Sequence, residues 1–199
     1  MAVIALTGDI GAGKSTVSKL LAQKLSCERL DADNLVSKIW TRSEVKEFFT
    51  QRWGRKILDD SGNIIKSEIS RIIFTNHEEY KFCNKFIHAL VMSSLKEEAE
   101  RNNNLVLEIP LLPEAGRPKW VNHVVYVTAD FDVRLRRCKI QRSWSSEELL
   151  RRERLLMPRS ERIALSDYVI CNNGSLADLE KQAALFINYY QERKIFNES

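Results

Sequence analysis

The stretch that decides the fold is Gly8-Asp9-Ile10-Gly11-Ala12-Gly13-Lys14-Ser15-Thr16. It matches the pattern G-x-x-x-x-G-K-[ST] at every fixed position, and a short apolar run at 3–7 precedes it. Apolar residues then recur at helical spacing, at Val17, Leu20, Leu21 and Leu25. A strand, a glycine-rich turn and a helix in this order are the context in which the pattern forms a phosphate-binding loop. The alternative, a turn with an incidental lysine, does not explain the flanking strand and helix.

The chemistry of such a loop follows from its residue types. Glycines let backbone N–H groups converge on phosphate oxygens at a helix N-terminus, where the helix dipole favours anions. The Lys14 ammonium is long enough to reach the β- and γ-phosphates, and the Ser15 hydroxyl is suited to hold Mg²⁺. The loop therefore predicts a site for a nucleoside triphosphate with Mg²⁺.

Composition places the chain among soluble globular proteins. It has 199 residues, 44% of them hydrophobic and 29% charged, which fits one domain with a sizeable core. The longest apolar runs are too short to span a membrane or to form a signal peptide. The four cysteines lack C-x-x-C spacing, which favours core thiols over metal ligands or disulfides. We expect a cytoplasmic protein with no membrane partner.

Positive charge is concentrated between Arg134 and Arg162. This stretch contains ten basic and four acidic residues, a net charge of +6, whereas the whole chain carries +4. A solvated helix face and a nucleic-acid surface are two interpretations. In a chain with a phosphate loop, an arginine-rich helical segment favours a third, a lid over the transferring phosphates. We predict the lid and no nucleic-acid partner.

Five short runs have the character of strands, namely 3–7, 27–31, 105–109, 123–128 and 168–171. Most are apolar and β-branched, and helical stretches separate them, which is typical of a parallel sheet. The long, largely helical interval between Asp31 and Leu105 indicates an inserted subdomain. Ligands of such sheets bind outside the carboxyl ends of the strands.

Carboxylates follow two of these strands. Asp31 and Asp33 end the second run, and residues two apart in a strand face the same way, so we expect both to face one cleft. A carboxylate there can accept the proton of an attacking hydroxyl or orient it, while helix capping is the alternative. Glu108 lies near the end of the third run. We interpret it as part of the Mg²⁺ shell, with a structural salt bridge as the alternative.

Beyond the loop, the chain carries a set of short motifs in a fixed order. They are Asp31-Ala32-Asp33, Trp53-Gly54 with Asp60-Ser61-Gly62, Ile87-His88, Pro110-Leu111-Leu112-Pro113-Glu114 and Asp167-Tyr168-Val169-Ile170-Cys171-Asn172-Asn173-Gly174. With the loop, they resemble the dephospho-CoA kinase family over nearly the whole chain. Many families share the loop, whereas the D-A-D, P-L-L-x-E and D-x-V-I-x-N-x-G patterns together are far more specific.

This resemblance implies an activity, a cofactor and a set of residues. The γ-phosphoryl group of ATP would be transferred to the ribose 3′-hydroxyl of dephospho-CoA, the last step of coenzyme A synthesis, with Mg²⁺. The implied catalytic residues are Asp33 at the acceptor hydroxyl, Lys14, and the lid residues Arg142 and Arg152. The implied ATP-binding residues are Gly8, Gly11, Ala12, Gly13, Lys14, Ser15, Thr16 and Asn172. The implied acceptor-binding residues are Asp31, Asp33, His88, Pro110 and Leu111, and the metal is assigned to Ser15 and Glu108.

The predicted architecture is an α/β P-loop fold of three layers with a five-stranded parallel sheet. In this single kinase domain (1–199), residues 1–34 and 105–199 form the nucleotide-binding core, 35–104 a helical substrate-binding subdomain and 134–165 a helical lid. The main alternative is another P-loop small-molecule kinase acting on a nucleoside, shikimate or gluconate. A GTPase-type switch is disfavoured because no N-K-x-D motif follows, and a polynucleotide-binding ATPase is the remaining alternative.

Overall fold

The computed structural model describes residues 2–102, 104–110, 112 and 116–197. The chain divides into two compact units, one formed by residues 1–31 with 101–199 and the other by residues 32–100. The first unit contains a β-sheet with helices, and the second is helical. Neither unit contains a described helix long and apolar enough to cross a membrane.

The sheet of the first unit confirms the predicted fold class. Its strands are β1 (Ala2–Gly8), β2 (Glu28–Asp31), β3 (Asn104–Glu108), β4 (His123–Thr128) and β5 (Tyr168–Cys171). Their order is β2-β3-β1-β4-β5, and every neighbouring pair is parallel. The middle residues of the central strands are apolar because both faces of the sheet are covered; Val3, Ala5 and Leu6 of β1 have no exposed surface.

Helices occupy most of the remaining chain. They are α1 (Lys14–Lys24), α2 (Ala32–Ile39), α3 (Ser43–Trp53), α4 (Lys66–Thr75), α5 (His77–Arg101), α6 (Phe131–Arg142), α7 (Ser146–Glu153), α8 (Arg159–Ala164) and α9 (Leu176–Asn197), with a 3₁₀ turn at Arg55–Ile57. In the first unit, α1 and α9 pack together through apolar side chains that include Leu21 and Phe186. Burial of these residues fixes α1, and with it the loop that precedes α1.

The second unit has its own core, built around aromatic rings. The Phe49 side chain is fully buried, and its ring centroid lies 5.0 Å from that of Trp40 and 4.6 Å from that of Trp53. Phe48 and Phe86 stack with their centroids 3.9 Å apart. Because these contacts join α3 to α5, the interval between β2 and β3 is a packed helical unit of its own.

The register of the sheet brings three strand ends together. In the pairing of β1 with β3, Leu6 lies opposite Glu108, and in the pairing of β2 with β3, Asp31 lies opposite Glu108. The carboxyl ends of β1, β2 and β3 therefore lie at one edge of the sheet. The glycine-rich loop begins at this edge, because Gly8 is the last residue of β1.

Candidate active site

The glycine-rich loop links β1 to α1 in a conformation that requires glycine at two positions. At Gly13, φ is +89°, and a Cβ atom would lie 2.5 Å from Nδ2 of Asn172. At Gly8, a Cβ atom would lie 2.0 Å from the carbonyl oxygen of Val127. Gly13 is the N-cap residue of α1, and it makes no side-chain hydrogen bond to cap this helix. A helix N-terminus of this kind is an anion site.

Cationic and amide side chains bind the carbonyl groups of the loop. The Lys14 ammonium donates to the carbonyls of Gly8 (3.2 Å) and Asp9 (3.0 Å). The other contacts are Arg134 to Ile10 (3.3 Å), Arg137 to Ala12 (3.2 Å), Asn172 to Ala12 (2.8 Å) and Arg162 to Gly8 (3.4 Å). Because the N–H and C=O groups of a peptide unit point in opposite directions, the N–H groups of Gly11 and Gly13 point away from the side chains that bind the Ile10 and Ala12 carbonyls.

Several nearby groups act on the pKa of the Lys14 ammonium group. Burial lowers the pKa of its ammonium group from the usual value. Glu108 and Asp9 oppose this effect, whereas the positive charges of Arg142 and Arg162 add to it. A partly desolvated ammonium attracts phosphate more strongly than an exposed one, since less water screens it.

Glu108 lies at the end of β3 in a group of polar side chains. One carboxylate oxygen accepts a hydrogen bond from the Ser15 hydroxyl (2.8 Å), and the other accepts from Ser18 (3.2 Å) and Arg29 (3.3 Å). The side chain is 7% exposed. Glu108 thus forms the salt bridge of the structural interpretation with Arg29, and it also accepts from the hydroxyl of Ser15, the other predicted metal ligand.

The donor set at Ser15 and Glu108 fits Mg²⁺. Both residues present oxygen atoms, and Mg²⁺ in phosphate-transferring enzymes is held by one or two protein oxygens together with phosphate oxygens and water. Within the described residues there is no group of three or more His, Cys, Asp or Glu side chains that would hold a metal by itself. A metal at this site would therefore depend on the nucleotide for further ligands.

Asp9 is a buried carboxylate in the loop, and the sequence analysis assigned it no role. It is 1% exposed. Its Oδ1 accepts from the Tyr126 hydroxyl (2.5 Å) and its Oδ2 from the Thr128 hydroxyl (2.7 Å). Arg162 and Arg159 of α8 lie 3.4 Å and 3.2 Å from the same carboxylate. Asp9 thus connects the loop to β4 and to α8.

Replacing Asp9 with alanine should destabilise the protein strongly. The buried Arg162 guanidinium would lose its charged partner, and breaking a buried pair from one side costs about 3–5 kcal/mol. The measurement is urea unfolding of the wild type, Asp9→Ala and the exposed control Asp60→Ala. A change in unfolding free energy for Asp9→Ala no larger than that of the control would contradict this role of Asp9.

A cavity of about 340 Å³ opens beside the loop. Predicted site residues that line it are Gly11, Gly13, Lys14, Ser15, Thr16, Glu108, Arg142 and Asn172. The other lining residues are Arg137, Gln141, Gly174, Ser175, Leu176 and Leu179. Gly8 and Ala12 belong to the loop but do not line the cavity, and neither does Arg152. The cavity therefore joins the predicted phosphate and metal residues to the start of α9.

The predicted acceptor residues differ in their placement. Asp31 is the last residue of β2, at the sheet edge next to Glu108. The expectation that Asp31 and Asp33 share a strand face is wrong, because α2 begins at Ala32 and Asp33 lies in the first turn of this helix. An acidic residue near a helix N-terminus is favoured by the helix dipole, which explains the early end of the strand. His88 is an exposed residue of α5.

The predicted acceptor residue Pro110 lies two residues after the end of β3, and its carbonyl oxygen accepts a hydrogen bond from the Thr7 hydroxyl (2.9 Å). This bond connects the turn after β3 to β1. Leu111, the neighbouring acceptor residue of the prediction, lies outside the described residues.

The arginines of the basic stretch have two different environments. Arg134 and Arg162 are 5% and 3% exposed, and they bind loop carbonyls instead of facing solvent. Arg134 also forms a salt bridge with Glu153. Arg142 and Arg152, the two predicted lid arginines, are exposed. The buried arginines thus support the loop, and the exposed pair is accessible to a ligand.

Arg137 and Arg29 are further residues of the site that the sequence analysis did not single out as ligands or supports. Arg137 donates to Ala12 and also to the carbonyl of Asn172 (3.0 Å), so it ties the loop to the end of β5. Arg29 donates to Glu108 and to Ser18 (3.1 Å). The cluster of arginines after β4 was the available signal for Arg137, whereas no local pattern marks Arg29.

Sequence comparisons with known proteins indicate one family. The family model described as dephospho-CoA kinase matches residues 2–178. A dephospho-CoA kinase of Fusobacterium nucleatum is 36% identical over 189 residues, which cover 92% of this chain and 96% of the relative. A dephospho-CoA kinase of Synechocystis sp. is 35% identical over 184 residues, with 90% and 92% covered.

Structural comparison gives the same result for the fold. A crystal structure of TT1252 from Thermus thermophilus matches with a TM-score of 0.77 and 33% identity, and the match covers 96% of this chain and 97% of the other. Nearly the whole chain is thus accounted for, in sequence and in structure. The chain belongs to the dephospho-CoA kinase family, ATP-dependent kinases of the final step of coenzyme A biosynthesis, which confirms the resemblance of its motifs.

Proposed function

We propose that this protein transfers the γ-phosphoryl group of ATP to the ribose 3′-hydroxyl of dephospho-CoA in a reaction that requires Mg²⁺. The observation that carries the proposal is the loop of residues 8–16, in which cations and an amide bind the carbonyls while Lys14 and Ser15 line the adjoining cavity. Family membership supports the choice of dephospho-CoA as the acceptor.

In this proposal the loop and α1 bind the triphosphate of ATP. The N–H groups of Gly11 to Thr16 surround the β- and γ-phosphates, and the positive end of the α1 dipole adds to the attraction. Lys14 exchanges its two loop carbonyls for phosphate oxygens, which are stronger partners because they are charged. Asn172 and Arg137 border the same cavity, and in this proposal the nucleoside lies against Asn172.

Ser15 and Glu108 would hold Mg²⁺. Bound there with ATP, the ion would neutralise charge on the β- and γ-phosphates. Ser15 presents its hydroxyl at the start of α1, and Ser18 and Arg29 orient the Glu108 carboxylate through its other oxygen.

Replacing Glu108 with glutamine should raise the concentration of Mg²⁺ needed for half-maximal activity by about 10–100-fold, the range seen when groups that support a metal are changed. The reason is the loss of negative charge beside Ser15, with side-chain size nearly unchanged. Titration of activity with Mg²⁺ at saturating ATP measures the effect. Glu28→Gln, an exposed change on β2, is the control. An unchanged Mg²⁺ requirement in Glu108→Gln would remove Glu108 from the metal site.

Asp33 and Asp31 are proposed to act on the acceptor. Asp33 would accept the proton of the 3′-hydroxyl or hold this group in line with the γ-phosphorus. Asp31, with His88, Pro110 and Leu111, would bind the acceptor without taking its proton. We propose the helical unit of residues 32–100 as the acceptor-binding part of the protein.

Arg142 and Arg152 are proposed to neutralise charge on the transferring phosphoryl group. Such a loose transition state spreads negative charge over three oxygens, so fixed cations are the main help that a protein provides. Arg142 already borders the cavity that contains Lys14. The helices that carry the two arginines, within residues 134–165, would form the lid.

A panel of acceptors tests the proposal. Purified protein is given ATP and Mg²⁺ with dephospho-CoA, adenosine, shikimate or gluconate, and ADP release is followed. Release that depends on dephospho-CoA supports the proposal, as does the absence of stimulation by polynucleotide. Release that depends on one of the other three acceptors would replace dephospho-CoA with another small-molecule substrate.

We also propose that the protein is located in the cytoplasm. Fractionation of cells, followed by detection of the protein in each fraction, tests this location.

A further inference from the structure

Trp144 lies in the short turn between α6 and α7. Ser143 ends α6 in a left-handed conformation with φ of +56°, and the Ser145 side chain caps α7 by accepting a hydrogen bond from the backbone N–H of Glu148 (3.3 Å). Trp144 therefore lies between the C-cap residue of α6 and the N-cap residue of α7. Its indole ring is half-buried, so its position is set by what it packs against.

Two guanidinium groups lie against this ring. The Cζ atom of Arg152 is 4.0 Å from the ring centroid, and that of Arg142 is 4.8 Å away. Both distances fall within the range of cation–π attraction, for which the indole ring is the best partner. Arg142 comes from the end of α6 and Arg152 from α7, so the ring brings together two cations from different helices.

Arg152 is held from a second side as well. Its Nε donates to Oε1 of Glu148 at 2.7 Å, and hydrogen bonds from Arg151 and Arg152 lower the pKa of the Glu148 carboxyl to about 2. Glu148 therefore stays ionised over the working pH range. Two like charges side by side repel each other, and an aromatic face with an adjacent carboxylate offsets this repulsion.

We propose that Trp144 is a positioning residue that holds Arg142 and Arg152 as a pair beside the nucleotide cavity. This inference rests on the proposed role of these two arginines in phosphoryl transfer. Arg142 lines the cavity, and its charge is one of those that lower the pKa of Lys14. Through the shared ring, Arg152 is kept close to an arginine that faces the triphosphate site. The two guanidinium groups would therefore approach the transferring phosphoryl group together.

Substitutions that differ only in the ring test this inference. Trp144→Leu removes the aromatic face and keeps an apolar side chain, whereas Trp144→Phe keeps an aromatic face. We expect kcat to fall by about 3- to 30-fold in Trp144→Leu, which corresponds to the usual range of cation–π attraction, with little change in the KM for ATP. Trp144→Phe should recover most of the lost kcat. Trp120→Leu, at a half-buried tryptophan remote in sequence from the lid, is the control.

A merely structural tryptophan would give a different pattern. In that case Trp144→Leu would lower the melting temperature, leave kcat unchanged at a temperature where the variant is folded, and show no rescue by phenylalanine. The pairing also predicts that Trp144→Leu has little further effect when Arg142 and Arg152 are both already alanine. Equal effects of Trp144→Leu with and without these two arginines would overturn the inference.

The same series separates this inference from the proposed function. If Arg142→Ala and Arg152→Ala both leave kcat unchanged, the proposed role of the lid arginines fails. If either arginine variant lowers kcat and Trp144→Leu does not, the arginines act without the tryptophan, and only the positioning role is overturned.

Discussion

Replacing Lys14 with alanine is expected to lower kcat by at least about 10²–10³-fold, the usual cost of removing a charged or polar group that stabilises a transition state. Lys14 is the ammonium group of the loop, and it lines the cavity together with Ser15 and Glu108. Burial lowers the pKa of its ammonium group, and the nearby carboxylates of Glu108 and Asp9 oppose this effect. Steady-state rates of ADP release with ATP and dephospho-CoA measure the effect.

The fold should survive this change. The Lys14 ammonium donates to the loop carbonyls of Gly8 and Asp9, and removing a desolvated charge relieves a cost of burial. Circular dichroism and thermal melting check that the variant is folded. Lys19→Ala, an exposed change on α1, provides the control and should retain full activity. Near-normal turnover by folded Lys14→Ala would exclude the loop lysine from the mechanism.

The second large effect is expected for Asp33. Changing it to asparagine keeps the size of the side chain and removes its ability to take a proton, so kcat should fall by about 10²–10⁴-fold. ATP binding should be unchanged, because the phosphate loop is intact. Calorimetric titration with ATP and Mg²⁺ separates binding from turnover.

Asp31→Asn is the matched control, since it makes the same change two residues earlier. We expect it to raise the KM for dephospho-CoA more than it lowers kcat, because Asp31 is proposed to bind the acceptor without taking its proton. If Asp31→Asn loses kcat and Asp33→Asn does not, the roles of the two carboxylates are exchanged. Unfolding of Asp33→Asn, or loss of ATP binding, would make Asp33 a structural residue.

The loop and the sheet were predictable because their signals are local. The pattern of residues 8–16 contains its own glycines, lysine and serine, and buried strands such as β1 and β4 are continuous apolar runs. The boundary at Asp33 was not predictable from strand alternation. Only one residue separates Asp31 from Asp33, and the helix dipole favours an acidic residue in the first turn of α2 over a longer strand.

Contacts across long stretches of sequence explain what else was missed. Glu108 meets Arg29 of β2, 79 positions earlier, because β2 and β3 are neighbours in the sheet. No spacing rule pairs these two residues. In the same way, Asp9 meets Tyr126 and Arg162, which belong to β4 and α8. Polar side chains that support a site therefore appear only when the fold is known.

The arginines after β4 show the limit of arguments from charge. A net charge of +6 between residues 134 and 162 predicted a basic segment, but charge alone does not say where each side chain points. Arg134 and Arg162 are buried and bind the loop, whereas Arg142 and Arg152 are exposed and contact Trp144. Burial thus separates supporting arginines from those that remain accessible to a phosphoryl group.

The most direct test of the central claim is the identity of the product. Purified protein is incubated with ATP, Mg²⁺ and dephospho-CoA, and the products are separated and weighed by mass spectrometry. We predict a product that is heavier than dephospho-CoA by one phosphoryl group, co-elutes with authentic coenzyme A and forms in equal amount to ADP. ATP binding without conversion of dephospho-CoA, or a product phosphorylated at another position, would contradict the account.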